Sequence, residues 1–150
     1  MDINEEQDRI INEFSKFDNW LEKYEYLLKL GKMHSSLNYN FKTDKYALQG
    51  CNSQVWIVSK LLQNNRLVFS ADSESMIIRG VLSLILRVVN NRHPKEIATA
   101  EVYFTKEIGL STALSPVRAN GVKAIVKYVK KVAVDQKPTL SPEEWQNHSD

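Results

Sequence analysis

One cysteine, Cys51, stands alone in a chain of 150 residues, so no internal disulfide can staple the fold. Stability has to come from a packed core, and a free thiol fits a reducing compartment. No apolar run is long enough to span a bilayer. The most apolar stretch, Val81 to Val89, is short and carries Arg87. Met1-Asp2-Ile3-Asn4-Glu5-Glu6 is acidic and does not read as a secretory signal, so the expected location is cytoplasmic, with no membrane partner. The three histidines, His34, His93 and His148, form no ligand pair with each other or with Cys51, so no metal site is expected. Five glycines are scattered without a phosphate-cradling loop. The formal net charge of +2 is too small to imply nucleic acid. Lys123, Lys127, Lys130 and Lys131 cluster without interleaved aromatic residues, so they read as a solvated helix face rather than a base-stacking surface.

What is present is an ordinary globular composition: 43% hydrophobic and 25% charged residues, with no internal repeat and no linker. The expected organisation is one domain over residues 1–137 and a polar C-terminal tail over residues 138–150. Asn4 with Gln7 reads as the start of a first helix, whose apolar positions are Ile10, Ile11, Phe14 and Phe17. Asn19 with Glu22 opens a second helix, and Gly31 is placed to end it. Tyr46 to Gln49, Val55 to Leu62 and Leu67 to Ala71 read as a three-stranded antiparallel meander. Asp72 or Ser73 is the expected cap of a long helix, with Glu74 in its first turn. That helix is apolar nearly all round, leaving Arg79, Ser83 and Arg87 as a thin polar stripe, as expected of a buried central element. Gly80 within it points to a close backbone approach, with the cysteine turn as a candidate neighbour. Pro94 starts a short helix to Ala100, and another lies ahead of Gly109. Ser115 as cap and Pro116 as first helical residue open the last long helix, with a stripe of Val122, Ile125, Val126, Val129 and Val132. From Thr139 to Asp150 the expected tail holds at most one turn of helix, at Ser141-Pro142-Glu143-Glu144. The fold class is therefore α+β: a single domain with a small three-stranded antiparallel sheet packed against helices.

The chemistry concentrates in Leu48-Gln49-Gly50-Cys51-Asn52-Ser53-Gln54-Val55-Trp56. A lone cysteine is ordinarily a small buried hydrophobe. Here Gly50 precedes it and small polar Asn52 and Ser53 follow, which is turn chemistry. A thiol on a turn is reachable by a partner. The residues alone make the thiol reachable but do not name a reaction. A stand-alone thiol enzyme with Cys51 as nucleophile and a binding module whose cysteine is inert both stay open.

This stretch, through Ile57, resembles the signature of the SufE family. Asn19-Trp20 with Glu22-Lys23-Tyr24 and Leu30-Gly31 is similar to the family's second helix. Ala71-Asp72-Ser73-Glu74 with Ile78 and Gly80 is similar to the start of its central helix. Leu114-Ser115-Pro116 with Arg118, Asn120 and Gly121 is similar to the start of its last helix. Four ordered matches span roughly Ile10 to Val132. Val117 stands where the family commonly has serine, Ala71 where glycine is frequent and Tyr46 where asparagine is usual. The resemblance implies a sulfur acceptor that takes persulfide sulfur onto Cys51 from a pyridoxal-phosphate (PLP) cysteine desulfurase, a SufS-like partner. It implies stimulation of that enzyme and delivery to an Fe–S scaffold complex of the SufBCD type. On this reading the protein is a carrier and activator rather than an independent enzyme, and it needs no cofactor of its own, because the PLP belongs to the desulfurase. Gly50, Asn52, Ser53 and Arg118 are the implied loop and anion supports, Arg118 by its match to the last-helix motif.

Overall fold

The computed structural model describes residues 1–144. Helix α1 (Ile3–Ser15) begins with a capping box in which Glu5 N–H donates to Asp2 Oδ1 at 2.8 Å and Asp2 N–H donates to Glu5 Oε1 at 3.4 Å. The cap is thus Asp2, not Asn4. Gln7 keeps only a side-chain bond to Asn4, Nε2–H to Oδ1 at 3.3 Å; it is fully buried, its amide also donates to Glu101 O, and its Oε1 accepts the N–H groups of Tyr103 and Phe104. Helix α2 (Trp20–Met33) is capped by Asn19, which accepts from Glu22 N–H at 3.0 Å. It runs through Gly31 instead of stopping there. The reason lies in helix α3 (Met76–Val89), which crosses α2 at Gly80. A Cβ on Gly31 would collide with the Met76 carbonyl, and one on Gly80 with the Leu27 carbonyl. The backbone that Gly80 admits is therefore α2, not the cysteine turn.

α3 is the buried centre, with Ile77, Ile78, Val81, Leu82, Leu84, Ile85, Val88 and Val89 all in the core. Its polar stripe is fully engaged. Arg79 pairs with Asp72 and donates to Gly31 O (2.9 Å) and His34 O (2.6 Å). Ser83 donates to Gly80 O at 2.7 Å, and Arg87 holds Glu6 and Glu13 of α1. The helix is capped by Ser75, which accepts from Ile78 N–H at 3.3 Å, rather than by Asp72 or Ser73. Both of those residues are held in the preceding strand, and Glu74 lies ahead of the first turn.

Strands β1 (Val55–Leu61) and β2 (Leu67–Ser73) form an antiparallel pair in register from Val55–Ser73 to Leu61–Leu67. The sheet has two strands, not three. Tyr46 is wound into a 3-10 turn (Asp44–Tyr46), following another at Tyr39–Phe41. Only one bridge, Ala47 to Trp56, and the Leu48 N–H bond to Val55 O at 2.8 Å survive from the expected first strand. Farther along the same edge of β1 the C-terminal segment takes over. Ser59 N–H donates to Thr139 Oγ1 (2.7 Å), and Leu140 N–H donates to Ser59 O (3.0 Å). Leu140 is buried with Leu37, Phe41 and Val58, so this segment packs on the domain before the single turn over 142–144.

The remaining helices are α4 (Pro94–Thr99), α5 (Phe104–Glu107), α6 (Leu110–Ala113) and α7 (Pro116–Asp135). Ser115 caps α7 by accepting from Arg118 N–H at 3.3 Å, with Pro116 at the first helical position. Val122, Ile125, Val129 and Val132 seat α7 against α3 and α4. Among the described residues no helix is long and apolar enough to cross a membrane.

Candidate functional site

The single thiol sits in the loop between Leu48 and β1. Gly50 turns the chain there with φ +91°, a conformation that an L side chain rarely adopts. Both limbs of the loop are tied down. Its start is fixed by the Leu48–Val55 bond. Its exit is fixed at the Gln54 carbonyl, which accepts from Ser73 Oγ (2.7 Å) and Glu74 N–H (3.3 Å). Between these anchors Cys51 tips inward onto the first turns of α7, and its Sγ–H donates to Gly121 O at 3.6 Å.

The thiol borders a cavity of about 10 Å³, room for one water molecule. Its lining is Asn52, Ser53 and Val55 from the loop and β1, Ile78 from α3, and Val117, Arg118 and Gly121 from α7. A Cβ on Gly121 would stand 3.5 Å from Sγ, so the missing side chain is part of what makes this space. Cys51 is half-buried, and burial pushes its thiol above the ordinary cysteine value. At neutral pH the resting sulfur is therefore protonated and a weak nucleophile. Arg118 is the charged side chain on the cavity wall. Its guanidinium makes no hydrogen bond or ion pair among the described residues, which leaves it available to an anion. Val117, 46% exposed, lays an apolar surface beside it.

The residues singled out in the sequence come together unevenly. Cys51, Asn52, Ser53 and Arg118 share the cavity, while Gly50 shapes the turn from outside it. Trp56 is half-buried against the Leu37–Phe41 cluster, with Lys42 5.6 Å from its ring centroid. Gly121 and Ile78 do not stand out in the sequence as site residues. A glycine inside a helix does signal close approach, and here Gly121 is the one facing the thiol. His34 donates through Nε2–H to Ala71 O (2.7 Å), and His93 Nδ1 lies 3.2 Å from Asn65 O; neither lines the cavity. His148 lies outside the described residues. Among the described residues no group of three His, Cys, Asp or Glu side chains is arranged to hold a metal ion.

Fold and site together define a class: a small α+β domain whose helices pack on an antiparallel sheet and present one thiol on a glycine turn. The family model for SufE, an Fe-S metabolism associated domain, matches residues 8–133, and the chain belongs to that family. An uncharacterised SufE-like protein of Rhizobium etli is 34% identical over 131 residues, covering 84% of this chain and 88% of the relative. Another from Rhizobium meliloti is 30% identical over 135 residues, covering 87% and 96%. A solution structure of a hypothetical protein from Thermus thermophilus matches with a TM-score of 0.68 over 87% of this chain and 94% of that one. Its 11% identity makes it a likeness of fold alone.

Proposed function

We propose that this protein, within Fe–S metabolism, accepts a sulfane sulfur on Cys51 from a PLP-dependent cysteine desulfurase and passes it to a cluster scaffold, stimulating the desulfurase as it does so. One observation carries the reading. The chain's lone thiol is held on a glycine turn beside a one-atom cavity, with an unengaged arginine at its wall and no general base in its lining.

The exchange needs little from this chain. The Cys51 thiolate attacks the terminal sulfur of the donor's persulfide, R–S–SH. A Cys51 Sγ–S bond forms and the donor's S–S bond breaks. The donor cysteine leaves as a thiolate and takes up the proton that Cys51 gave up. No electron acceptor or metal enters the balance. The raised thiol pKa means that docking has to favour the thiolate, and the role assigned to Arg118, which lines the cavity, is to do so. Shelter of the resting sulfur against Gly121 also limits its oxidation. A stand-alone thiol enzyme would need a base beside the sulfur, and the cavity lining supplies none.

Incubation with a SufS-like desulfurase and free cysteine should add one sulfur to the chain by intact mass. Reductant should remove it, and Cys51→Ser should not acquire it. An unmodified Cys51 during sustained, stimulated desulfurase turnover would overturn the carrier role.

A further inference from the structure

We propose that Ser73 is a positioning residue for Cys51: its hydroxyl fastens the exit of the cysteine loop to the buried junction between β2 and α3. The proposal rests on the sulfur-acceptor reading for its consequence, but not for its geometry.

Gln54 lies one residue beyond the β1–β2 ladder, where strand pairing stops holding the loop. Its carbonyl accepts a 2.7 Å bond from Ser73 Oγ–H and a longer 3.3 Å bond from Glu74 N–H. The same Ser73 oxygen accepts from Ser75 N–H at 3.1 Å. Ser75 in turn caps α3 by accepting from Ile78 N–H, and Ile78 lines the cavity beside Cys51. One hydroxyl therefore joins the loop's exit to the start of the helix that forms the cavity wall.

Ser73 is itself immobilised. Its N–H donates to Asp72 Oδ1 at 2.8 Å. The Asp72 carboxylate is fully buried and is held by Leu37 N–H (3.0 Å), Lys42 Nζ (3.1 Å) and the Arg79 guanidinium. Arg79 also grips the end of α2 through Gly31 O and His34 O. The anchor is thus rigid, and the Ser73 hydroxyl is its short link to the loop. Without that link Gln54 keeps only its weaker bond and Ser75 N–H loses its acceptor. The Cys51–Gly121 contact, 3.6 Å long and through sulfur, is too weak to hold the loop alone.

Two assays separate positioning from mere stability, because a loosened loop moves them in opposite directions. Ser73→Ala should react with iodoacetamide at neutral pH roughly fivefold faster than the native chain, the equilibrium shift that loss of one ordinary hydrogen bond gives. The pH midpoint of alkylation should fall toward that of an exposed cysteine. Arg118, the charged residue in the cavity lining, is unchanged in this variant. Sulfur uptake from the desulfurase at saturating partner should slow by a similar factor, with little change in the partner concentration needed for half-maximal rate. Ser73→Thr, which keeps the hydroxyl, should restore both. Ser59→Ala removes another buried hydroxyl, at Thr139, and should lower stability without moving either readout. A folded Ser73→Ala with native alkylation rate and midpoint overturns the positioning role. Altered alkylation in a chain that never acquires sulfur, native or variant, overturns the acceptor reading and leaves the positioning role standing.

Discussion

A thiol's behaviour is decided by the few atoms around it, and at Cys51 three neighbours decide it in different ways. Gly50 supplies a left-handed turn, Gly121 withholds a side chain, and Arg118 brings a charge with no partner among the described residues. The turn was legible in the sequence, because Gly50-Cys51-Asn52-Ser53 is loop chemistry between strand-like segments. The identity of the approaching glycine was not. Gly80 and Gly121 both sit inside helical patterns, and local pattern does not say what each one faces. The unengaged guanidinium leads to a prediction at this scale. Arg118→Ala should leave stability within about 0.5 kcal/mol, as for surface changes that break no network. The same variant should slow sulfur uptake several-fold, and Arg118→Lys should recover part of it. Urea denaturation beside a single-turnover transfer assay checks both; equal uptake in all three proteins would remove Arg118 from the site.

Elements rather than single residues explain where the sequence and the structure part. Ser115–Pro116 and Asn19 mark helix starts because their side chains and ring act within one turn. Asn4, Asp72 and Ser73 also look like caps, yet a better local box at Asp2 and long-range ion pairing and loop bonding took their places. Gly31 looks like a stop and is instead one half of a helix crossing. The third strand is lost because a 3-10 turn winds Tyr46 and a left-handed glycine turns the chain four residues later. No local pattern announces that Thr139 and Leu140 will cover the rest of that edge. The α2–α3 crossing gives the sharpest prediction here. Gly80→Ala forces a Cβ against backbone, which cannot swing aside as a side chain can. It should cost about 3 kcal/mol or more, the upper range for overpacking. Ser83→Ala, one turn along the same helix, should cost about 1 kcal/mol or less. Thermal and urea unfolding distinguish them; equal effects would mean that the helices separate freely.

The molecule as a whole is tied together at Asp72, where β2, the segment around Leu37 and Lys42, the end of α2 and the start of α3 meet. Burial by itself would raise this carboxyl. The bonds from Leu37 N–H, Lys42, Ser73 N–H and Arg79 outweigh burial and hold it below the usual carboxylate range. A carboxyl whose folded pKa is depressed gives its full stability above the unfolded value, about 3.9. That contribution is lost as pH falls through the ordinary range toward the depressed value. Stability measured by urea titration should therefore be flat near neutrality and drop below about pH 4. Asp72→Asn should lose about 3–5 kcal/mol at pH 7, because Arg79 and Lys42 stay behind uncompensated. It should also show a shallower acid limb; an unchanged limb would place the pH dependence elsewhere, with Glu13, held low by Arg87, the next group to test. The small cavity beside Sγ has a consequence of a different kind. On the proposed carrier role, one thiol per chain and space beside it for a single atom make the protein a vessel of fixed capacity. Its cargo would be counted in whole chains. Supply through it would then scale with how many copies exist and how often they meet a donor and a recipient, never with how much each copy can store.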